Sequence, residues 1–535
     1  MPSARRAACE SLEARRQFAA GFPHAFGGAG FDNAQKIATD GTGMVVVGQF
    51  SGTTNFAAPG ARARTLTARG DTDVYVARYD LSGALQWAVR VGGDYEDKDL
   101  ERFTRRDVQI SQNRLNRYIG RVGSQVREAG EYANDVAVDS GGNVYVVGAF
   151  KESIRVGDTT LTADQTFNSD FYDAMVLKFS PTGQLTWARQ FGGAFDDDAL
   201  AVGVDASGNV TLGGYFQRQA KLDGAAGGQS FFTDDGRDAG LVLRLSASGK
   251  FAWSYQFESD AVGTDERNAV NDIAVTRRGE VVFAGSYASD ADFQPGRSEY
   301  ILEAEGKTDA VVGRLNRKGG LVWAESTGGE EYDANSAVTL DADGNIYTAG
   351  YFYDESDVDP RPGVEKIYTA VSEDDDDSNP TFSDVLVSKL SADGTPAWQA
   401  QLGGGYIETV GDITVGPDGG VYTTGSFFNT ADFDPGRTNY DLSSIDVNTK
   451  SIKDDNTEFG RNESYDWYVS KLSPRGKFVA ARQFGEADDD YGAGAVGFAG
   501  DTLLVYGRAV KAVGDREDRQ EQSVIYQISK ELKIL

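Results

Sequence analysis

Residues 134–193 contain four short runs in which apolar and polar residues alternate. Each run has the length of a β-strand and is rich in β-branched or aromatic residues. The turns between the first and second runs and between the third and fourth are short and contain glycine, which supplies the positive φ that hairpins require. The pattern predicts a four-stranded antiparallel sheet in which sequential strands are neighbours. The runs occupy residues 136–138, 144–150, 174–179 and 184–191.

The same pattern recurs along the whole chain at a spacing of roughly 65 to 82 residues, apart from one step of 100. A glycine marks the second strand of each copy: Gly48, Gly148, Gly213, Gly285, Gly350, Gly425 and Gly507. A tryptophan marks the fourth strand: Trp87, Trp187, Trp253, Trp323 and Trp398, with Ala480 in the sixth place. Four strands repeated at this period predict an all-β fold, a seven-bladed β-propeller of four-stranded antiparallel blades. We expect the tryptophans to pack between neighbouring blades.

The two ends of the chain complement each other. Residues 17–26 precede Gly27-Gly28 as a fourth strand would, and the last repeat supplies three strands. We predict that the N-terminal strand joins the last blade and closes the ring; the alternative makes 532–535 the fourth strand. We expect 1–16 to be a flexible N-terminal segment and 17–535 to be a single domain. The predicted blades are about 27–91, 92–191, 192–257, 258–327, 328–402, 403–484, and 485–535 with 17–26.

The step of 100 residues marks an insertion at 94–130, which we predict to be partly helical because Leu115, Ile119, Val122 and Val126 follow helical spacing. The insertion is locally basic in an acidic protein. It either packs on the acidic face of its own chain or docks another subunit or an acidic partner, which would make the protein an oligomer or a complex. The candidate partner-binding residues are Arg102, Arg105, Arg106, Arg114, Arg117 and Arg121.

The formal net charge of −30 disfavours a nucleic-acid partner, whose phosphates would be repelled. Cys9 and His24 are the single cysteine and the single histidine, which excludes an internal disulfide, a thiolate zinc cage and a histidine-based metal site. No apolar run is long enough to span a membrane, and residues 1–16 lack the apolar stretch of a signal peptide. The charge favours cations or a basic partner, or it serves simply for solubility in a salty environment.

The repeated unit reads V-D-x-x-G-N-V-Y-V-x-G-x-F, followed by D-A-x-V-x-K-x-S-P-x-G-x-L-x-W-A-R-Q-F-G-G. Three second-to-third loops add A-D-F-Q-P-G (291–296), S-D-V-D-P-R-P-G (356–363) and A-D-F-D-P-G (431–436), which we call the D-P-G loops. The unit resembles the bacterial seven-bladed β-propeller repeat family, often labelled SBBP, and the loops are similar to DFDPG loops of large bacterial surface and secreted proteins. The resemblance covers nearly all of 17–535 outside the insertion. It implies the fold and an extracellular or cell-surface location, and little about activity; the first and third blades depart from it because they lack the D-P-G loop.

Acidic residues recur in the D-P-G loops and in the connections between blades, and we expect both sets to project from one elaborated face of the disc. Ca²⁺ takes six to eight oxygen ligands, and an Asp-x-Asp pair beside a Pro-Gly turn supplies carboxylates and carbonyls. The competing interpretation is that these aspartates cap local backbone in Asx turns. The candidate calcium ligands are Asp292, Asp357, Asp359, Asp432, Asp434, Asp196, Asp198, Asp488 and Asp490.

These features favour a non-enzymatic binding or structural module of a bacterial surface, a secreted protein or a multi-subunit assembly. Its acidic loop face and basic insertion would bind cations and a protein or polysaccharide partner. The alternative is an enzyme that acts on polysaccharide through carboxylates at the mouth of the central channel. No catalytic residue is predicted, because acids recur in every blade. An enzyme requires one unique polar cluster at the channel, whereas a module carries similar acids all around the ring.

Overall fold

The computed structural model describes residues 24–28, 32–57, 60–93, 130–164, 166, 171–223, 229–233, 238–259, 267–295, 299–361, 366–370, 382–436, 438–444, 465–485, 496–512 and 519–533. Within these ranges the chain is all β and has no helix. The helical prediction for the insertion falls on 94–129, outside the described residues. The strands, in chain order, are β1 (His24–Gly28), β2 (Asp32–Thr39), β3 (Gly43–Phe50), β4 (Thr53–Asn55), β5 (Thr65–Thr67), β6 (Asp73–Asp80), β7 (Leu85–Val91), β8 (Glu131–Val138), β9 (Val144–Phe150), β10 (Ser153–Val156), β11 (Thr159–Thr162), β12 (Asp173–Phe179), β13 (Leu185–Gly192), β14 (Asp198–Val204), β15 (Val210–Gln217), β16 (Gln219–Leu222), β17 (Ser230–Phe232), β18 (Asp238–Leu245), β19 (Phe251–Ser259), β20 (Ala269–Val275), β21 (Val281–Tyr287), β22 (Ala291–Asp292), β23 (Ile301–Leu302), β24 (Asp309–Leu315), β25 (Leu321–Gly329), β26 (Ala334–Leu340), β27 (Ile346–Tyr353), β28 (Glu355–Asp357), β29 (Ile367–Thr369), β30 (Ser383–Leu390), β31 (Pro396–Gly404), β32 (Asp412–Val415), β33 (Val421–Phe428), β34 (Thr430–Asp432), β35 (Asp441–Ser443), β36 (Tyr465–Leu472), β37 (Phe478–Phe484), β38 (Val496–Ala499), β39 (Thr502–Ala512) and β40 (Arg519–Ser529).

Seven four-stranded antiparallel sheets form the blades of a propeller, which confirms the predicted fold class. Strands β3, β9 and β12, which are second or third strands of blades 1 and 2, are largely apolar and buried almost throughout because both of their faces pack against neighbouring blades. The first strands of successive blades contact one another in a closed ring, so they lie innermost. The blades consist of β2-β3-β6-β7, β8-β9-β12-β13, β14-β15-β18-β19, β20-β21-β24-β25, β26-β27-β30-β31, β32-β33-β36-β37 and β38-β39-β40-β1.

The N-terminal strand closes the ring. β1 pairs antiparallel with β40, with His24 opposite Ile525 and Phe26 opposite Ser523. It is therefore the outermost strand of blade 7, as predicted. After β40 the chain makes a turn, in which the N–H of Ser529 donates to the carbonyl oxygen of Lys533. Of the alternative fourth strand, 532–535, the last two residues lie outside the described residues.

The described residues form six hairpins, one from each of blades 1 to 6, and each hairpin connects its blade to the blade that precedes it. They are built from the second-to-third connections, which we expected to project from one face. Each hairpin instead adds to the outer strand of the preceding blade, in the pairs β4 with β1, β16 with β13, β22 with β19, β28 with β25 and β34 with β31. The hairpin β10-β11 meets the end of β7 through a bridge between Gly92 and Arg155. The hairpins cover backbone groups that would otherwise form a sheet edge.

The glycine of the second strand makes room for the backbone of the first strand. A Cβ atom on Gly148 would lie 2.0 Å from the carbonyl oxygen of Tyr132. In blade 3 the equivalent residue is Gly214, whose Cβ would lie 2.0 Å from the carbonyl oxygen of Asp198. Assigning this position to Gly213 was therefore wrong by one residue, and a Gly-Gly pair in the sequence concealed the register.

Candidate functional site

The first aspartate of each D-P-G loop caps its own hairpin. Asp292 Oδ1 accepts the N–H groups of Gln294 at 2.8 Å and Tyr300 at 3.1 Å. Asp432 does the same with Asp434 and Tyr440, and Asp357 with Asp359 and Lys366. The apolar residue that follows each of these aspartates is buried between blades: Phe293, Val358 and Phe433. These are Asx turns, the competing interpretation of the sequence.

The second aspartates of two loops also have partners. Asp359 forms an ion pair with Arg361, and Asp434 accepts the Gly436 N–H at 2.9 Å and the Thr438 hydroxyl at 2.6 Å. The five candidate calcium ligands of the loops lie in three separate hairpins. Within the described ranges no three acidic, histidine or cysteine side chains form a group that could hold a metal ion.

Asp196 and Asp198 join neighbouring blades. The Asp198 carboxylate accepts the Tyr132 hydroxyl at 2.9 Å and the Asn134 amide at 2.8 Å, both from blade 2. Asp196 accepts the Tyr172 N–H at 3.2 Å. The remaining candidates, Asp488, Asp490 and the six arginines of the insertion, lie outside the described residues.

Among the described residues, a pair of buried acidic residues occupies the junction between blades at four places. One member begins the third strand of a blade, and the other lies at the start of the first strand of the next blade. The second member accepts the backbone N–H of a Gly-Gly pair, as Asp333 does from Gly329 at 2.9 Å. The pairs are Asp73 with Glu131, Asp173 with Asp197, Asp309 with Asp333, and Asp384 with Glu408.

Burial raises the pKa of these carboxyl groups. The pKa of Asp173, Asp309 and Asp384 rises to about 7. The pKa of each second member, such as Glu408, lies well above its usual value, first because of burial and then because of the neighbouring acid. Two adjacent carboxylates removed from water repel each other, so one of them is favoured in its neutral form.

The Gly-Gly sequence after the fourth strand fits this junction. A Cβ atom on Gly192 would lie 2.4 Å from Cγ of Asp173, and one on Gly193 would lie 1.9 Å from the carbonyl oxygen of Gln219 in the hairpin. The first glycine therefore admits the acid, and the second admits the hairpin. Any other residue would displace one of them.

In blade 3 the small residue and the acidic residue have exchanged strands. Ala239 stands where the other blades have the acid, and Glu258 stands opposite it in place of the first glycine. The partner position in blade 4 is Asn268, which exchanges hydrogen bonds with Ser259. Loss of the strand-three acid thus coincides with a neutral partner at this junction.

The opposite face of the disc is held by the tryptophans. Trp87 packs on Gly183 in the third-to-fourth turn of the next blade, where a Cβ would lie 2.7 Å from the indole ring, and its indole N–H donates to the Pro181 carbonyl at 2.9 Å. The same packing on a turn glycine recurs for Trp187, Trp253, Trp323 and Trp398. This geometry confirms the predicted packing role of the tryptophans.

At the junction between blades 6 and 7 the large and the small residue have exchanged positions. Ala480 occupies the tryptophan position, and Leu532, with φ of 59°, occupies the turn position that is glycine elsewhere. Leu532 is 4% exposed and belongs to the apolar cluster that Ala480 contacts. The large side chain has moved from the strand to the turn.

A basic residue lies opposite each tryptophan position on the third strand. Arg244, for example, pairs with Asp205 and donates to the Gly279 carbonyl of the next blade at 3.2 Å. These side chains tie the turns of two blades together beneath the tryptophans. The set is Arg78, Lys178, Arg244, Arg314, Lys389 and Lys471.

The innermost strands carry a charged cluster at one repeated position, which is aspartate in blades 2, 4 and 6 and lysine in blade 1. Lys36 Nζ lies 2.9 Å from Asp412 Oδ2, and both side chains are largely buried. Although burial lowers it, the pKa of Lys36 is raised by Asp412, Asp135 and Asp272. One ammonium group therefore serves as the counter-ion of three carboxyl groups.

Two of these aspartates also bind the neighbouring blades. Asp135 accepts the N–H of Val202 in blade 3 at 2.8 Å, and Asp272 accepts that of Val338 in blade 5 at 2.7 Å. Burial raises the pKa of Asp135 to about 6 and that of Asp272 to about 8. The cluster thus links alternate blades around the channel. Its members occupy one repeated position, in the runs N-D-V-A-V (134–138), N-D-I-A-V (271–275) and G-D-I-T-V (411–415), with Lys36 at that position in blade 1. The sequence therefore carried a signal for the cluster that was missed.

The junction acids were also missed, although the sequence carries a signal for them. An aspartate directly precedes the buried third strand in D-V-Y-V (73–76), D-A-M-V (173–176) and D-A-V-V (309–312). An ionisable residue at the edge of an apolar run is costly to bury without a partner, which could have identified the position.

No protein-family model matches the chain. One curated relative is the uncharacterized WD repeat-containing protein L264 of Acanthamoeba polyphaga mimivirus, 18% identical over 222 residues, or 40% of this chain. The match spans only 14% of that protein. The described residues contain no helix long and apolar enough to cross a membrane.

Two solved structures are similar in arrangement at low sequence identity. A protein of unknown function from Dyadobacter fermentans aligns with a TM-score of 0.35 and 11% identity over 74% of this chain and 94% of that one. The structure of Drosophila Plexin A in complex with Semaphorin 1b aligns with a TM-score of 0.33 and 9% identity, covering 94% and 86%.

Proposed function

We propose that this chain is a non-enzymatic binding or structural module, a closed scaffold whose loops present a partner site. The observation that supports it is the use of the recurrent polar side chains. The junction acids, the tryptophans and the basic residues beneath them all contact the neighbouring blade. Groups that hold a ring together in this way supply stability rather than chemistry. The WD-repeat relative is consistent with a repeat scaffold.

The 94–130 insertion is the segment we propose for partner binding. Residues 102–127 contain seven arginines and one aspartate in a chain whose net charge is −30. Such a segment is complementary to an acidic protein surface, and a second copy of this chain offers one. The proposal includes an extracellular or bacterial cell-surface setting, which rests on the resemblance of the repeats and D-P-G loops.

Charge reversal in the insertion tests this function. We expect a variant with Glu in place of Arg102, Arg105, Arg106, Arg114, Arg117 and Arg121 to lose self-association, measured as molar mass by light scattering, and to lose binding to polyglutamate. Raising the ionic strength should weaken both in the wild type. The variant should retain the wild-type melting temperature if the insertion lies outside the core.

A matched control reverses four exposed arginines of the propeller itself: Arg62, Arg64, Arg277 and Arg278. We expect this control to associate and bind polyglutamate like the wild type. Equal behaviour of the insertion variant and the wild type would contradict the proposal. So would an equal loss in the control, because the effect would then report net charge alone.

An enzyme acting on polysaccharide is the alternative, and the charged cluster of the innermost strands is the observation that favours it. Among the described residues at this repeated position Lys36 is the one cation, and its ion pair with Asp412 has the uniqueness that catalysis requires. Hydrolysis of a polysaccharide panel by the wild type, abolished in Asp412→Asn, would establish the alternative. We expect no hydrolysis by either protein.

A further inference from the structure

At two blade junctions the paired acids contact each other directly. Asp73 in β6 and Glu131 in β8 join blades 1 and 2. Asp384 in β30 and Glu408, in the connection between β31 and β32, join blades 5 and 6. In each pair the glutamate carboxyl group lies within reach of a hydrogen bond to the aspartate carboxyl group. At the first pair both groups approach Gly92, where a Cβ atom would lie 2.4 Å from Glu131 Oε1 and 2.5 Å from Asp73 Oδ1. At the other two junctions the second acid is aspartate. The longer glutamate side chain brings its carboxyl group to the partner.

All four side chains are removed from solvent. Asp73, Glu131 and Glu408 are at most 1% exposed and Asp384 is 3% exposed. Asp384 Oδ1 and Glu408 Oε1 receive no N–H or hydroxyl hydrogen bond from the described residues, and Asp73 Oδ1 receives none either. A hydrogen bond between two carboxyl groups requires a proton on one of them, and that proton would satisfy these oxygens.

The surroundings of the Asp384 pair contain no cation among the described groups that contact it. Gln401 Nε2 donates to Asp384 Oδ2 at 2.5 Å, and the Gly404 N–H donates to Glu408 Oε2 at 3.1 Å. The one other titratable neighbour is Tyr468, whose pKa is raised by burial and by Glu408. Nothing described here compensates a second negative charge.

The Asp73 pair has one cation. Arg90 Nη1 lies 2.8 Å from Asp73 Oδ2, and the Gly93 N–H donates to Glu131 Oε1 at 3.2 Å. The backbone N–H of Arg69 also donates to Asp73 Oδ2, at 3.2 Å. One guanidinium compensates one carboxylate, which leaves the second carboxyl group to be neutral.

We propose that each of these two junctions is a proton-binding site, in which one proton shared between the paired carboxyl groups fastens a blade to its neighbour. At the junction between blades 3 and 4 the acid pair is missing: Ala239 replaces the first acid and Asn268 the second, while Glu258 occupies the place of the first glycine. That junction therefore holds without a shared proton between paired acids. The ring is tightest when both protons are present and loosens when they leave.

The direction of the pH dependence follows from linkage. An unfolded glutamate has a pKa of about 4.3, whereas burial and the paired acid raise the pKa of Glu131 and Glu408 well above that value. The folded protein therefore binds more protons than the unfolded chain between these limits, and stability falls as pH rises. The contribution is complete below about pH 4 and is lost as pH rises through the raised values.

The test uses the full chain and the variant Glu131→Gln with Glu408→Gln, because glutamine donates a hydrogen bond permanently and carries no charge. We expect the wild-type melting temperature to fall by several degrees between pH 5 and pH 9. This range lies above the usual pKa of a glutamate, where the raised pKa of the buried acids makes the folded protein lose its extra protons. The double variant should fall less and exceed the wild type at pH 9. Asp158→Asn, a substitution of a fully exposed acid, should follow the wild type.

Infrared spectroscopy of the folded wild type at pH 7 supplies a readout that does not depend on the variant's stability. We expect a protonated-carboxyl C=O band whose intensity decreases in the double variant by two groups. Equal pH slopes in the wild type and the double variant would overturn the proposal. A wild-type spectrum at pH 7 without a protonated-carboxyl band would overturn it as well.

Discussion

Single residues in this propeller exchange places across a contact while the contact survives. Where the strand-four tryptophan is Ala480, the turn glycine is Leu532. Where the strand-three acid is Ala239, the opposing glycine is Glu258. In both cases one large side chain fills the space between two backbones, and it can come from either side of the contact. Each glycine of the repeat thus lies on the side of a contact that contributes no side chain.

Restoring the common pair at the junction of blades 6 and 7 tests this account. Ala480→Trp alone should lower the free energy of unfolding by about 2 kcal/mol, because the indole would overlap Leu532. Leu532→Gly alone should also destabilise, because it removes a buried leucine. The double variant should recover at least about 1 kcal/mol of the summed loss. Chemical denaturation of the four proteins gives the coupling, and strict additivity would contradict the exchange.

Lys36 provides a second test at the same scale. Lys36→Met leaves three buried aspartates without their ammonium counter-ion, so we expect a loss of about 2–4 kcal/mol in the free energy of unfolding. Adding Asp412→Asn should return part of that loss, because it removes one of the uncompensated charges. The exposed Lys250 is the control position, and Lys250→Met should change stability by less than about 0.5 kcal/mol. An equal loss at both lysines would contradict the role of the cluster.

Among the elements, the main strands could be predicted from the sequence and the hairpins between blades could not. The second and third strands, such as β9, carry continuous apolar runs because two blades bury them. A strand of two residues, such as Ala291–Asp292, has no periodicity, and its pairing partner in β19 lies in the preceding repeat. The Asx turns at Asp292 and Asp432 were foreseeable from Asp beside Pro-Gly, whereas the burial of Phe293 between blades depends on a partner in another repeat, Phe257.

Calcium binding by the D-P-G hairpins stays a prediction that belongs to this scale. Millimolar Ca²⁺ should raise the melting temperature of the wild type and should leave unchanged a variant with Asp292→Asn, Asp357→Asn and Asp432→Asn. Asparagine retains the side-chain oxygen that accepts the turn N–H groups, so the Asx turns should survive while the charge is lost. A wild type that does not respond to Ca²⁺ would remove the metal from the account of these loops. Mg²⁺ at the same concentration controls for general charge screening.

At the scale of the whole molecule the fold depends on closure. β1 is the outer strand of blade 7 and also receives the blade 1 hairpin, with Gly27 opposite Asn55. One short strand therefore completes two connections between the first and last blades. Both ends of the chain must meet before either blade has all its partners, which makes the last step of folding a contact of high sequence separation.

Removing this strand should destabilise the entire ring. We expect deletion of residues 1–28 to lower the melting temperature by several degrees and to increase aggregation, because the edge of β40 is left unpaired. Deletion of residues 1–16 is the control and should leave the melting temperature unchanged. Calorimetry of the two truncations gives the comparison, and equal melting temperatures would show that β1 is dispensable.

The hairpins of blades 1 to 6 have a consequence for how such a ring can grow. Each hairpin is encoded in one repeat but completes the edge of the blade before it. A duplicated repeat would therefore bring four strands of its own and a cover for its predecessor, and its own outer edge would be covered by the repeat that follows. Blade number can change by whole repeats without exposing an edge. A gene rearrangement that separates a hairpin from its repeat would expose two blade edges.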